Sequence, residues 1–186
     1  MADPVKATLD ACVLFPTVLR EILLGVAARG IFTPVWSERI LQEWVRATDR
    51  LGPVARLQAE GEAALARSRF PAAMTRARPE IEARLWLPDP NDLHVLATAI
   101  ASHSDCLITF NAQDFPGATL TEEGIQRRDP DGFLWELAAR HGAAIAEVVG
   151  GVHATAERMA GVALSPRALM KRAKLLRLGK QLYPLP

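Results

Sequence analysis

The chain has 186 residues, 49% of them hydrophobic and 23% charged, with a formal net charge of +1. That is enough for one globular domain with its own core plus an appendage, and the near-neutral balance excludes a polyelectrolyte built to bind nucleic acid through bulk charge. No apolar run approaches a membrane span, and Asp3 and Lys6 before a short apolar run do not make a secretory leader.

Val5 to Leu9 reads as a short strand that stops at Asp10. After LDACVLFP a helix is expected from Thr17 to Arg29, with Val18, Ile22 and Val26 on one stripe and Gly30 ending it. Ile31 to Trp36 is a second strand, and Ser37 suits the N-cap of the next helix. Ile40, Leu41, Trp44 and Val45 form the buried stripe of that helix, with Glu43 at its edge. Gly52-Pro53 breaks the chain before an alanine-rich amphipathic helix from Val54 to Arg69. Pro71 to Arg78 reads as another helical piece, giving an expected helical hairpin over 53–78 that stands off the sheet. Arg50, Arg56, Arg67, Arg69, Arg76 and Arg78 make this segment arginine-rich, which suits a solvated face first and a phosphate-binding surface second.

Leu85 to Leu87 is expected as a third strand, leading into PDPNDLHVLATAIASHSDCLITFNAQDFP. Asp89 suits an N-cap and Pro90 the first helical position. From Leu93 to Ala101 the helix is apolar nearly all round, so it should be buried, yet Asp92 shares a face with Val95, Leu96 and Ala99. His94 points away from that face and reads as a satisfied helix-start histidine. Cys106 to Thr109 is an apolar run typical of a buried parallel strand. It ends in a polar knot of Thr109, Asn111 and Asp114. Cys12 and Cys106, both in apolar surroundings, read as free thiols of a reducing cytoplasm.

Ile125 to Arg127 is a marginal edge strand. Helices are expected over Asp131–Arg140 and Ala143–Met159, the second interrupted by Gly150-Gly151, and a last one from Arg167 to about Leu178 behind a Ser165-Pro166 cap. That last helix carries Arg167, Lys171, Arg172, Lys174 and Arg177 and no acid, so it either packs its leucines on the domain or extends a nucleic-acid path. Strand–helix alternation argues for an α/β fold with a central parallel sheet of four or five short strands flanked by helices. The division expected is 1–128 for that domain and 129–186 for a helical C-terminal extension.

On this map Asp10, Glu43, Asp92 and Asp114 all fall on the C-terminal side of the sheet, where open α/β folds build their sites. Each has a plain reading alone: a strand-ending acid, a surface glutamate, a helix-dipole acid and a turn former. Together they repel one another unless a divalent cation lies among them, and oxygen-only ligands suit Mg²⁺ or Mn²⁺. Such a cluster can activate a water and stabilise a phosphodiester transition state. Thr109 is either an ordinary strand residue or a hydroxyl that holds a metal-bound water.

LDACVLFP, WSERILQEW, PNDLHVLATAI and DCLITFNAQDFP, in this order and spacing, resemble the PIN domain family over about Thr8 to Pro116, with weaker similarity around Asp131 to Leu137. The resemblance implies a Mg²⁺- or Mn²⁺-dependent ribonuclease, of the kind found as VapC-type toxins in type II toxin–antitoxin pairs. It implies acids at Asp10, Glu43 and Asp92, and a fourth ligand from Asn111 or Asp114, Asn111 standing where many relatives carry Asp. Cys12 stands where this branch often has Asn. Partners implied are an RNA substrate such as a tRNA loop, an antitoxin in a groove near Phe15, Leu19 and Leu23, and a second copy in a homodimer. Arg67, Arg69, Lys171, Arg172 and Lys174 are the candidate RNA-backbone contacts. The competing reading is a catalytically weak or inactive PIN-like module that binds RNA or protein. A receiver domain lacks its lysine, since none lies between Lys6 and Lys171, and a DxD phosphatase lacks its second acid because Ala11 and Cys12 follow Asp10.

Overall fold

The computed structural model describes residues 4–184, so the ends of the two expected segments, at 1–3 and 185–186, lie outside the described residues, as does Asp3. Five parallel strands form one sheet: β1 (Val5–Leu9), β2 (Phe32–Ser37), β3 (Met74–Thr75), β4 (Cys106–Ile108) and β5 (Gln126–Arg128), in the order β3-β2-β1-β4-β5. Ala7 and Leu9 of β1 and Leu107 and Ile108 of β4 are fully buried. This is the continuous apolar signature of strands covered on both faces.

Ten helices surround the sheet among the described residues. After β1 come α1 (Ala11–Leu14) and α2 (Thr17–Ala28), and after β2 come α3 (Glu38–Ala47) and α4 (Pro53–Arg69). Ser37 caps α3 by accepting from the Ile40 N–H at 3.3 Å. α5 (Pro79–Glu82) and α6 (Leu93–Ala101) precede β4, and α7 (Gly117–Glu122) precedes β5. α8 (Pro130–Ala160), α9 (Pro166–Arg172) and α10 (Leu176–Leu182) complete the chain. α8 lies along α2, and Phe133 of α8 packs edge-on against Phe32 of β2 at 5.2 Å between ring centroids. No helix is long and apolar enough to cross a membrane.

The expected helical hairpin over 53–78 is not formed. Pro71–Ala73 is a single 3₁₀ turn, and Met74–Thr75 pairs with Trp36 and Ser37 as the third strand. The Trp36 indole N–H donates to the Met74 sulfur at 3.0 Å, a tertiary contact that outweighs the helix propensity of PAAM. Pro34 leaves β2 without one ladder donor, and β3 pairs only beyond it. The expected strand at Leu85–Leu87 is irregular instead, with Leu87 buried and Trp86 71% exposed.

The 53–69 helix packs against α3, with Ala59, Ala63 and Ala66 buried. Arg20 of α2 is 2% exposed, stacks over Trp44 of α3 at 4.6 Å, donates to the Leu14 carbonyl at 2.8 Å and pairs with Glu62 of α4. Burial lowers its pKa against the pull of Glu62 and Glu21. Leu19 and Leu23 are fully buried in the same core, so they do not line a surface groove as expected.

Two further expectations fail in the C-terminal third. α8 runs unbroken through Gly150 and Gly151, while its kink at His141 (φ −128°, ψ 31°) falls where the two helices were expected to part. The last helix is two helices, parted at Lys174, whose φ of +59° is left-handed. That turn buries Leu175 and aims the start of α10 at Asp131. The Asp131 carboxylate, 8% exposed, accepts from the N–H groups of Arg177 at 2.8 Å and Leu178 at 3.0 Å. It caps α10 across the tertiary structure. Asp131→Ala should cost about 2 kcal/mol, the range of a buried charge-assisted bond, and should speed proteolysis after residue 172. Urea unfolding and limited digestion check both.

Candidate active site

The β1–β4 register, Leu9 beside Ile108, sets Asp10 next to Thr109 at the C-terminal edge of the sheet. The Asp10 N–H donates to the Ile108 carbonyl at 3.1 Å. The Thr109 hydroxyl donates to Asp10 Oδ2 at 2.6 Å and accepts from the Asn111 N–H at 2.9 Å. The Cys12 thiol donates to the same Asp10 oxygen at 3.1 Å, and its sulfur accepts from the Phe110 N–H at 3.3 Å. Cys12 is therefore not in the apolar setting expected of it. Burial first, and then the Asp10 charge, push its pKa up to about 12, so it stays a thiol.

Asp92 sits at the end of the 3₁₀ turn Pro90–Asp92. Asn111 Nδ2 donates to Asp92 Oδ2 at 3.2 Å and to Asp114 Oδ2 at 2.7 Å. Asn111 thus spans two acids with its amide NH₂, while its Oδ1 accepts from the Asp114 N–H at 3.4 Å. Asp89, Asp92 and Asp114 each offer an oxygen, all within 4.8 Å of one another. Asp89 was expected only as a cap, and it does cap, accepting from the Asn91 N–H at 2.9 Å. Its second position was readable in DPND, because a proline-led 3₁₀ turn stacks residues three apart on one side.

Glu43 projects from α3 toward α6, with Oε1 at 2.8 Å from His94 Nε2 and at 3.4 Å from Arg39 Nε. His94 is 3% exposed; its Nε2 faces the Glu43 carboxylate, and neither ring nitrogen makes an aligned hydrogen bond among the described residues. Asp92 feels all these acids. Burial, then the charges of Asp10, Asp89, Asp114 and Glu43, raise its pKa to about 6. The structure thus brings Asp10, Glu43, Asp92, Asn111, Asp114 and Thr109 into one neighbourhood and adds Asp89, Cys12 and His94. A set of carboxylate oxygens this close, held back only by one amide, fits a divalent cation as charge balance.

The candidate RNA contacts are more scattered. Arg67 forks on Glu38 at 2.7 and 3.1 Å, and Arg69 lies over the Phe70 ring. Lys171 and Arg172 are exposed on α9. Lys174 Nζ lies 4.6 Å from the centroid of Phe110, next to Asn111, so the C-terminal segment reaches the edge of the site.

A protein-family model described as PIN domain matches residues 6–113, more than half of the chain. No curated protein and no solved structure gives a significant match.

Because Asp92 ionises less readily in the fold than in the unfolded chain, its charge destabilises the metal-free protein above pH 6. The penalty fades as pH falls through about 6 toward 3.8. Asp92→Asn should therefore raise the metal-free melting temperature at pH 7, and raise it less at pH 5. Added Mg²⁺ should raise the wild-type value more than the variant's. Calorimetric scans with and without EDTA decide it.

Proposed function

Because the chain belongs to the PIN domain family, whose members are generally metal-dependent nucleases, we propose that it is a Mg²⁺- or Mn²⁺-dependent endoribonuclease. In this reading it belongs to the VapC-like branch and acts in the cytoplasm as the toxin of a type II toxin–antitoxin pair. The observation that carries the nuclease reading is the convergence of Asp89, Asp92 and Asp114 within 4.8 Å, beside Asp10. Residues 1–128 would form the nuclease unit and 129–186 a helical layer added to it.

Asp92, Asp114, Asp10 and Asp89 are the residues that would hold the cation. Once bound, it neutralises their charge and acidifies a water. Thr109 fixes the Asp10 carboxylate, and Asn111 keeps Asp92 and Asp114 apart at a usable spacing. Glu43, leaning in from α3, would take the proton of the attacking water as general base, or serve as ligand to a second ion. Attack in line on phosphorus expels the 3′ oxygen and leaves a 5′ phosphate. Single-stranded or looped RNA, such as a tRNA loop, suits an edge that offers backbone contacts and no deep groove reader. An antitoxin would occlude this edge, and a homodimer would present two copies of it.

One observation favours the weaker reading, a PIN-like module with little or no activity that binds RNA or protein. The Cys12 thiol adds a second donor, beside the Thr109 hydroxyl, to Asp10 Oδ2, and both compete with a cation for that carboxylate.

The purified protein should cleave RNA with Mg²⁺ or Mn²⁺ and not with EDTA. Asp10→Asn and Asp92→Asn should fall to background, and Glu43→Gln should lose about 10² to 10⁴-fold in kcat if it is the base. Full activity in either aspartate variant overturns the assignment. No cleavage by any sample, with no metal binding by calorimetry, leaves the binding module.

A further inference from the structure

A cavity of about 300 Å³ lies between the start of α3, the segment from β3 to Arg78, and α6. The carboxylate chemistry does not use it. Arg39, Arg76, Arg78, Ser37, Thr75 and His94 are among its lining residues. Its acids are already engaged: Glu38 is forked by Arg67, and Glu82 faces Arg39 at 3.9 Å. Arg76 is exposed and has no ionic partner among the described residues. Arg78 meets only Glu80 at 3.3 Å, with both side chains more than half exposed, a pairing that water largely screens.

The buried imidazole of His94 closes the inner wall of this cavity. Neither nitrogen is hydrogen-bonded among the described residues, and its 2.8 Å approach to Glu43 lacks hydrogen-bond alignment. Both nitrogens are sealed from solvent and Nε2 already faces the Glu43 carboxylate, so the ring gives the cavity a wall and no donor. The guanidinium groups of Arg76 and Arg78 and the hydroxyls of Ser37 and Thr75 form a donor set suited to phosphate oxygens. The cavity also shares a wall with the acid cluster. Arg39 donates to the Asn91 carbonyl at 3.3 Å, one residue before Asp92, and reaches Glu43.

We propose that this cavity is a phosphate subsite that takes a neighbouring phosphate of the RNA strand whose scissile bond lies at the acid cluster. Naming RNA rests on the nuclease reading; the phosphate chemistry rests on the cavity itself. The phosphate is either an internal diester of the strand or the terminal monoester of a nucleotide.

The test compares the full chain with R76A/R78A, both exposed positions, and with R158A on α8 as a remote control. A fluorescein-labelled single-stranded RNA is titrated in EDTA over a range of KCl, with AMP as competitor. KM and kcat are then measured with Mg²⁺. Loss of two phosphate contacts should weaken binding several-fold at low salt and flatten the slope of log K against log salt by about 1.4. KM should rise in proportion with kcat unchanged, and R158A should match wild type. Displacement of RNA by AMP that the double variant loses assigns a terminal phosphate; binding that AMP does not contest assigns an internal diester. If R76A/R78A melts like wild type yet keeps its affinity, salt slope and KM, or if R158A loses as much, the subsite is wrong. If wild type cleaves no RNA while the binding loss in EDTA persists, the nuclease reading falls and the subsite stands.

Discussion

The hydrogen bond from Thr109 to Asp10 holds the site to the sheet. It forms where β1 and β4 end side by side, and the Thr109 N–H is tied in turn to the Arg128 carbonyl at the end of β5. A carboxylate 7% exposed at the end of an apolar strand needs such a donor. The same hydroxyl oxygen receives the Asn111 N–H, and the Asn111 side chain reaches Asp92 and Asp114. One relay of short polar contacts thus links strand, turn and helix, and fixes like charges at separations they would not choose.

What was legible in the sequence follows from range. The inward acid of Asp92 on an apolar helix, the abrupt stop at Asp10 and the cap at Ser37 are local patterns, and the fold realises them. So is the strand from Cys106, whose burial on both faces shows as an unbroken apolar run. A two-residue strand at Met74 has no periodicity to read and exists only because β2 offers it a partner. The burial of Arg20 was equally hidden, since it depends on Trp44 and Glu62 arriving from other helices. Cys12 looked apolar because its neighbours in sequence are apolar, while its neighbours in space are Asp10, Thr109 and Phe110. Asp89 was half legible: its capping role was read, and its place among the acids was not.

Beyond the apolar core that Met170, Leu175 and Leu178 join, one buried charge and one ring contact couple the C-terminal helices to the rest. Asp131 receives the start of α10, and Lys174, at the turn between α9 and α10, covers Phe110. The left-handed residue in that turn makes both possible, because a continuous helix would carry Leu175 away from the core. The turn between α9 and α10 and the strand-four loop therefore share a boundary, and a disturbance of one reaches the other through Phe110.

The sheet's two outer strands bear on how the chain behaves when crowded. β3 offers only two residues, and β5 offers three, Gln126, Arg127 and Arg128. Arg127 is turned back onto the carbonyls of Ala112 and Phe115, and Arg128 onto Glu136. A foreign strand finds too few free ladder groups on one border and a charged, preoccupied one on the other. Strand addition, the route by which sheets grow into fibrils, is thereby disfavoured at both borders.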